Sequence, residues 1–266
     1  MTMSEKANYI TLIKYALRHP NSTYNYLQEY MKYKENYRHP FVYNNKVKAF
    51  ENYVDFLKAL FNLQEIDTNS LSGLSTLYEN SINKVKNLYG EDKSLSVTSL
   101  DESLVLYFSI RYLQPKIVVE TGVSDGMSSL FILSALEKME GHLYSIDYPK
   151  VGMPALYGKE PGWLVNDQLR ARWTLIYGKS KEKLPILLSQ LKHVDIFLHD
   201  SEHSYSNMKF EFTLALEHMS PGSLLLSDDV SSNSAFYEAV AGHGLYDNIY
   251  WLKGEGSDFG AYFYKP

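Results

Sequence analysis

The sequence contains no cysteine, which excludes disulfide bonds, thiolate nucleophiles and zinc sites built on thiolates. It contains no run of about 20 apolar residues, the length that a membrane-spanning helix requires. It also has no long cluster of lysine and arginine that could bind nucleic acid phosphates, and its N-terminal residues lack the pattern of a secretion signal. These absences predict a cytoplasmic protein that spans no membrane and does not act mainly on nucleic acid.

Apolar and aromatic residues, by contrast, are abundant. Of the 266 residues, 45% are hydrophobic and 14% are aromatic, which is enough for a sizeable buried core. The 26 basic and 31 acidic residues nearly balance and give a formal net charge of -5. The chain is therefore expected to be globular, with one large domain or one domain that carries an appendage.

Residues 1–92 have the residue spacing of helices. Apolar and aromatic residues recur every three or four positions in the segments 5–19, 22–38 and 46–61, which is the period of an amphipathic helix. We predict an α-helical N-terminal extension over residues 1–92 that serves as a substrate lid or as the interface of a homo-oligomer. Its many tyrosines could form a binding surface, but packing between helices is the simpler expectation.

From residue 93 to residue 266, short β-rich segments alternate with helical ones. The seven strand candidates are residues 116–121, 142–147, 173–178, 194–200, 222–229, 249–254 and 260–265. This alternation predicts an α/β domain with a doubly wound, mostly parallel sheet of seven strands, covered by helices on both faces. The last two candidates are joined only by the short link "GEGSD", so the final strand is expected to be antiparallel.

The ends of the first two predicted strands carry residues suited to a ligand, because ligands collect at the carboxyl ends of parallel strands. Gly122 and Gly126 follow the first strand and allow a sharp backbone turn before a helix. The dinucleotide fingerprint would need a glycine where Ser124 stands, and no GK[ST] phosphate-loop sequence follows. Asp147 ends the second strand and could bind a ribose diol or could cap a turn.

The motif "VVETGVSDGMSS" (118–129), followed by "YSID" (144–147), resembles that of class I S-adenosylmethionine-dependent methyltransferases. More narrowly, "WTLIYGKSKEKLP", "VDIFLHDSEHSY" and "MSPGSLLLSDDV" resemble two related groups. One comprises the catechol-type metal-dependent O-methyltransferases, and the other includes sugar and macrolide O-methyltransferases and cephalosporin-hydroxylase-like proteins. The resemblance implies a Rossmann-like methyltransferase fold from about residue 92 to the C-terminus.

The resemblance also implies a set of contacts with S-adenosylmethionine. Three residues would shape the turn beside the cofactor, two serines would lie near its methionine part, Asp147 would hold the ribose, and two further residues would complete the site. Ser180 matches a position that meets the adenine ring. Thr98 precedes a helix where relatives touch the cofactor, and a helix cap is the alternative for it. The turn residues are Glu120, Gly122 and Gly126, and the two serines are Ser124 and Ser128.

Acidic residues close the fourth and fifth predicted strands. Asp200 ends the fourth, and Asp228 and Asp229 end the fifth, so their carboxylates are expected to meet at neighbouring strand tips. Clustered carboxylates repel one another unless a cation neutralises them, and oxygen ligands favour magnesium, manganese or calcium. In catechol-type enzymes an Asp and an Asp-Asn or similar pair at these strand ends bind the metal. The resemblance therefore implies a site for Mg²⁺ or another divalent cation, with solvated loop carboxylates as the alternative.

The stretch "FLHDSEHSY" (197–205) contains the candidate acid–base residues. His203 stands three residues after Asp200, where catechol-type enzymes carry a lysine base, so the resemblance implies a catalytic role for His203 and Asp200. A histidine can take a proton near neutral pH, although a structural hydrogen bond in the turn is the alternative for His203. Strand alternation directs His199 away from this site, so His199 and Glu202 are expected to be bystanders.

These residues predict an S-adenosylmethionine-dependent, metal-dependent O-methyltransferase that acts on a hydroxyl of a small molecule. Two other functions are compatible with the sequence, because a fold does not fix a function. One is a metal-dependent hydrolase or hydroxylase-like enzyme on the same fold. The other is a non-catalytic cofactor-binding module whose helical extension mediates assembly.

Overall fold

The computed structural model describes residues 33–90, 97–148, 158–244, 249–254 and 256–265. The predicted helix at 5–19 lies outside the described residues. Only the end of the segment 22–38 is described, and there Lys34–Arg38 forms a short 3-10 helix. No helix within these ranges is long and apolar enough to cross a membrane.

Within these described ranges, a single eight-stranded sheet forms the centre of the fold. Its spatial order is β1-β7-β8-β6-β5-β2-β3-β4. The strand β8 is antiparallel to both of its neighbours, and every other pairing is parallel. The strands are β1 (Val47–Phe50), β2 (Ile117–Thr121), β3 (His142–Asp147), β4 (Trp173–Tyr177), β5 (Ile196–His199), β6 (Leu224–Ser227), β7 (Ile249–Leu252) and β8 (Phe259–Phe263).

Helices cover both faces of this sheet, as a doubly wound fold requires. One buried apolar cluster lies between the sheet and the helices α1 to α4, and a second lies between the sheet and α5 to α7. The central strands are buried on both sides, which explains their continuous apolar sequences. The helices are α1 (Tyr53–Phe61), α2 (Leu71–Tyr89), α3 (Leu100–Leu113), α4 (Met127–Leu136), α5 (Ser180–Leu191), α6 (Tyr205–Leu216) and α7 (Ala235–Gly242).

All seven strand candidates are found, and the antiparallel final strand is confirmed, but the count of seven is wrong because the sheet has an eighth strand, β1. The sequence predicted a helix over 46–61, whereas Val47–Phe50 pairs in parallel with β7. Asn52 begins α1 only afterwards, where its side chain accepts a hydrogen bond from Asp55 N. Pairing with a sheet edge overrides the helical spacing here, because the preference of a segment of four residues for a strand depends strongly on its tertiary context. The N-terminal extension thus contributes one strand to the sheet.

Candidate active site

The turn between β2 and α4 is built around the Glu120 carboxylate. Glu120 is fully buried and accepts hydrogen bonds from the hydroxyls of Ser128, Ser129 and Ser145, each at 2.6 Å. Burial raises the pKa of Glu120, while the three serine donors oppose that rise. Glu120 therefore joins β2 to α4 and β3 from beneath the turn, and the Ser128 hydroxyl is engaged with it.

Two glycines give this turn its shape. Gly122 and Gly126 have φ values of 86° and 93°, which other residues rarely adopt. A Cβ atom on Gly122 would lie 1.8 Å from the Asp200 carbonyl oxygen, and one on Gly126 would lie 2.6 Å from the Gly162 Cα. The turn is thus packed directly against the end of β5, where the predicted metal residues begin.

Asp147 is bound to the same turn. Its Oδ2 accepts hydrogen bonds from the backbone N–H groups of Val123 at 3.0 Å and Ser124 at 2.8 Å. Burial raises the pKa of Asp147, and the donors of the turn counteract this rise. The side chain acts as a turn cap in the structure, and the predicted ribose contact stays a prediction.

A cavity of about 540 Å³ opens above this turn at the carboxyl ends of the strands. It brings together most of the predicted site: Thr98, Ser124, Gly126, Asp200, His203, Asp228 and Asp229 all line it. The predicted adenine contact lies elsewhere, because the Ser180 hydroxyl donates to Asn207 Oδ1 at 3.4 Å and Ser180 is not part of the lining. The role of Ser180 therefore finds no support in the geometry.

The metal candidates converge at this cavity. One ligand atom each from Asp200, His203 and Asp228 lies within 4.8 Å of the others. His203 Nε2 is 3.9 Å from Asp200 Oδ1 and 3.8 Å from Asp229 Oδ2. Asp229, predicted as a third carboxylate ligand, thus lies at the edge of the cluster, next to His203. It follows the end of β6 with a φ of 48°, in the left-handed region.

Burial and the crowding of negative charge both act on this cluster. Burial and the neighbouring Asp228 raise the pKa of Asp200 well above its usual value, and burial raises the pKa of Asp228. Burial, followed by Asp228 and Asp258, raises the pKa of Asp229 to about 6. Such crowding is relieved when a cation binds, because the cation favours the charged forms.

Glu102 is a cavity residue that the sequence did not reveal. It is 3% exposed, and burial and the charge of Asp228 raise its pKa to about 7. Its carboxylate accepts from Ser99 N at 2.8 Å and from Asp258 N at 3.1 Å. The sequence "SLDE" signals a capping box at the start of α3, which the structure contains. That local motif could not show that the capping glutamate faces the cavity.

This raised pKa predicts a pH-dependent stability. The pKa of Glu102 rises from 4.5 to about 7 on folding. Its contribution to the free energy of unfolding is therefore fully present below pH 4.5 and is lost as the pH rises through about 7. We expect the metal-free protein to lose roughly 3 kcal/mol of unfolding free energy from this group over that interval. Urea unfolding at several pH values measures this. The free energy of unfolding of Glu102→Gln should change less with pH than that of the unchanged protein, whatever the absolute stability of the variant.

The matched control is Glu79→Gln, on the exposed side of α2. It should keep the pH dependence of the unchanged protein. If the free energy of unfolding changed equally with pH in Glu102→Gln and in the unchanged protein, Glu102 would not be the source of the pH dependence.

A second group missed from sequence is the buried pair of His199 and Glu211. The Glu211 carboxylate is fully buried and lies 2.7 Å from His199 Nδ1. It also accepts hydrogen bonds from Thr121 Oγ1 at 2.5 Å, Ser201 Oγ at 2.8 Å and Asn207 Nδ2 at 2.9 Å. The pair ties β2, β5 and α6 together directly behind Asp200. His199 points away from the cavity, as strand alternation predicted, but it contacts the ring of His203.

The N-terminal extension also holds the turn that carries His203. Asn36 Nδ2 donates to the His203 carbonyl oxygen at 2.9 Å, and Asn36 Oδ1 accepts from Tyr205 N at 2.7 Å. Asn233 Nδ2 donates to the same carbonyl at 3.2 Å. Since Tyr205 is the first residue of α6, Asn36 satisfies one of the free N–H groups at that helix end.

Comparison with known proteins is consistent with this geometry. Residues 119–230 match the model of a family described as a methyltransferase domain, while no curated protein matches the sequence. The fold is similar to the O-methyltransferase TomG from Streptomyces achromogenes, solved with S-adenosylmethionine. The TM-score is 0.53 at 18% identity, over 80% of this chain and 95% of that chain.

Two further structures share the fold. A crystal structure of a putative O-methyltransferase from Klebsiella pneumoniae has a TM-score of 0.53 at 17% identity, over 80% of this chain and 96% of that chain. The O-methyltransferase from Bacillus cereus, solved with S-adenosylhomocysteine, has a TM-score of 0.50 at 16% identity, over 78% of this chain and 94% of that chain. At these identities the likeness establishes the fold, and the family model covers residues 119–230.

Proposed function

We propose that this chain is a class I S-adenosylmethionine-dependent methyltransferase and, more narrowly, a divalent-metal-dependent O-methyltransferase that acts on a hydroxyl group of a small molecule. The observation that carries the proposal is the convergence of Asp200, His203 and Asp228 within 4.8 Å, beside a glycine turn of the type that binds S-adenosylmethionine. The solved O-methyltransferases with the same fold support the choice of oxygen as the methyl acceptor.

The donor set suits a divalent cation. Asp200 and Asp228 offer hard oxygen ligands and His203 offers a nitrogen. Burial raises the pKa of both carboxyls, and the charge of Asp228 adds to the rise for Asp200, so a cation would favour their charged forms. A bound divalent cation would lower the pKa of a hydroxyl group on the acceptor. Asp229, at 3.8 Å from His203 Nε2, would add negative charge at the edge of the cluster.

His203 is placed to act on the proton of the acceptor. Its side chain is 20% exposed, it lines the cavity, and its Nε2 faces the carboxylates. An imidazole at that place can accept a proton near neutral pH. The protein would otherwise contribute mainly by holding acceptor and methyl donor in line, which alone gives large rate enhancements.

The β2–α4 turn and its neighbours would hold S-adenosylmethionine. Ser124 and Gly126 line the cavity together with Thr98, whereas Glu120 supports the turn from below and is fully engaged by serines. Asp147 would hold the ribose hydroxyls, and the backbone donors of the turn fix the position of its carboxylate. We infer that Glu120 acts through the shape of the turn.

The extension should influence catalysis through Asn36. We expect Asn36→Ala to lower kcat about tenfold. The His203 carbonyl then keeps only the donor from Asn233, and small displacements of catalytic groups are costly. Asn36→Asp keeps the acceptor for Tyr205 N but cannot donate to the His203 carbonyl, so it should show the same loss of kcat with less loss of stability. Steady-state kinetics and thermal unfolding of both variants measure this.

The neighbouring Tyr37, whose side chain is 84% exposed, provides the control. Tyr37→Ala should leave kcat and the melting temperature unchanged. If Asn36→Asp retained the full kcat, the anchoring role of Asn36 would be wrong.

Labelled methyl transfer tests the proposed function. The purified protein is incubated with S-adenosylmethionine carrying a labelled methyl group, a small-molecule cell extract and Mg²⁺, and the labelled products are identified by mass spectrometry. A product with a new methyl ether or methyl ester, formed with Mg²⁺ and not with a chelator, supports the proposal. Transfer to nitrogen or carbon refutes the oxygen acceptor, and equal transfer with a chelator refutes the metal requirement.

A further inference from the structure

Asp125, in the turn between β2 and α4, is bound to two distant parts of the chain. The Tyr89 hydroxyl donates a hydrogen bond to Asp125 Oδ1 at 2.6 Å, and the Trp163 indole N–H donates to the same oxygen. Tyr89 is the last residue of α2, and Trp163 lies in residues 158–165, which we call the strap. Asp125 is 9% exposed and lines the cavity. One carboxylate oxygen thus joins the N-terminal extension and the strap to the turn.

The strap is also bound to the backbone of the turn. Gly162 N donates to the Ser124 carbonyl oxygen at 2.8 Å, and Leu164 N donates to the Asp125 carbonyl oxygen at 3.1 Å. A Cβ atom on Gly126 would lie 2.6 Å from the Gly162 Cα, so the two backbones are in direct contact. Because the contact leaves no room for a side chain, a displacement of the strap must displace the turn.

Residues that follow the strap fix its position as well. Arg170 Nη2 donates to the Gly162 carbonyl oxygen at 2.9 Å, and the Arg170 guanidinium lies 5.0 Å from the centre of the Trp173 ring. A Cβ atom on Gly162 would lie 2.1 Å from Cη2 of Trp173. Trp173 Nε1 donates to Ser145 Oγ at 2.9 Å, and Ser145 donates to Glu120. The strap therefore rests on the same hydrogen-bond network that supports the turn from beneath.

The turn needs such support because its backbone is strained. Ser124 has a φ of 50°, in the left-handed region, where residues other than glycine are uncommon. A strained backbone conformation persists only when the surrounding contacts fix it. At Ser124 one contact is the Asp147 carboxylate, which accepts from the Ser124 N–H at 2.8 Å. Another is Gly162 of the strap, which donates to the Ser124 carbonyl oxygen, so loosening the strap weakens the support of the turn.

We infer that Asp125 is a positioning residue for S-adenosylmethionine, because its Oδ1 fastens α2 and the strap to the cofactor turn. A turn that already has its binding conformation does not have to be ordered when the ligand binds, so the affinity for the ligand is higher. The effect on S-adenosylmethionine rests on the proposed function, whereas the fixed conformation of the turn does not.

Asp125→Ala should weaken S-adenosylmethionine binding about 10- to 100-fold, the range expected for the loss of hydrogen bonds to a charged acceptor. Asp125→Asn should recover most of this loss. Both donors use the same oxygen, and an asparagine carbonyl can accept from both of them. Calorimetric titration with S-adenosylmethionine measures the dissociation constants at a temperature at which each variant is folded. Asparagine performing no better than alanine would contradict the inference.

Removal of the two donors separates positioning from a direct contact between Asp125 and the ligand. Trp163 and Tyr89 are not among the described residues that line the cavity, so each should affect binding only through the turn. Trp163→Phe and Tyr89→Phe keep an aromatic ring but lose the donor, and each should weaken binding about 3- to 10-fold. These variants also decide the matter if Asp125→Ala does not fold. If both bound S-adenosylmethionine as tightly as the unchanged protein, the positioning role would be wrong.

Tyr112→Phe is the matched control for the loss of a tyrosine hydroxyl. Tyr112 is 48% exposed and stands at the opposite end of α3 from Glu102, which lines the cavity. The variant should bind S-adenosylmethionine with unchanged affinity. A loss in Tyr112→Phe equal to that in Tyr89→Phe would show that the Asp125 oxygen has no special role.

Hydrogen exchange of the ligand-free protein tests the turn without S-adenosylmethionine. Mass spectrometry of peptides that cover residues 120–128 and 158–166 reports on the N–H groups of Gly126, Gly162 and Leu164, which are hydrogen-bonded. In Asp125→Ala these groups should exchange at least about tenfold faster, and in Asp125→Asn they should exchange at nearly the unchanged rate. Equal exchange in Asp125→Ala and the unchanged protein would overturn the inference. If the unchanged protein bound no S-adenosylmethionine, the proposed function would fail, and the exchange rates would still decide whether Asp125 fixes the turn.

Discussion

Asp200→Asn is expected to reduce methyl transfer by at least about a hundredfold, which corresponds to a loss of about 2.7 kcal/mol of transition-state stabilisation. The asparagine has nearly the same shape, so the packing of the turn after β5 should persist. It lacks the charge that, together with Asp228 and His203, would attract a divalent cation. Initial rates measured over a range of Mg²⁺ concentrations should show a higher requirement for the metal as well as a lower maximum.

The same substitution should stabilise the protein when no metal is present. Burial and repulsion by Asp228 raise the pKa of Asp200, so removing its charge relieves that repulsion. Asp167→Asn provides the control, because the Asp167 side chain is fully exposed and the change should affect neither rate nor stability. Full activity of Asp200→Asn would contradict the proposed metal site.

Gly122→Ala is expected to destabilise the fold by more than about 4 kcal/mol, the exceptional end of single substitutions. Two costs combine at this position. The φ of 86° is strained for alanine, and the new Cβ would lie 1.8 Å from the Asp200 carbonyl oxygen, so the β2 turn and the end of β5 must separate. Denaturant unfolding measures the effect, and S-adenosylmethionine binding should be lost with it.

Gly222→Ala separates these two costs. Gly222 also has a positive φ, of 102°, but among the described residues nothing lies within 4 Å of the position that a Cβ atom would take there. The substitution should therefore show only the backbone strain, about 1–2 kcal/mol. If the two substitutions destabilised the protein equally, the contact between Gly122 and Asp200 would have no special importance.

The parts of the fold that the sequence predicts are those governed by local patterns. The strands β2 to β8 are recognised because each is a short apolar run between helical segments, and the short link before β8 dictates an antiparallel pair. Strand ends likewise predicted that Asp200 and Asp228 would approach each other. Such predictions succeed because the carboxyl ends of neighbouring parallel strands share one edge of the sheet.

The remainder depends on long-range contacts that no local pattern encodes. The strand β1 forms because an edge of β7 is available, and the cavity position of Glu102 follows from where α3 packs. His199 was correctly predicted to face away from the cavity, but the inference that it is a bystander missed Glu211, which is twelve residues later and accepts its hydrogen bond. Glu211 lies in the helical segment α6, and nothing in the local sequence shows that its carboxylate is buried.

Calorimetric titration of the purified protein with S-adenosylmethionine, first without and then with Mg²⁺, measures whether the proposed cofactor site exists. Saturable binding with one site per chain is expected in both titrations, because the turn of Gly122 and Gly126 and the Asp147 carboxylate do not depend on a metal. Methyl transfer by the same sample should require Mg²⁺. If a sample that unfolds cooperatively bound no S-adenosylmethionine, the proposed cofactor site would be wrong.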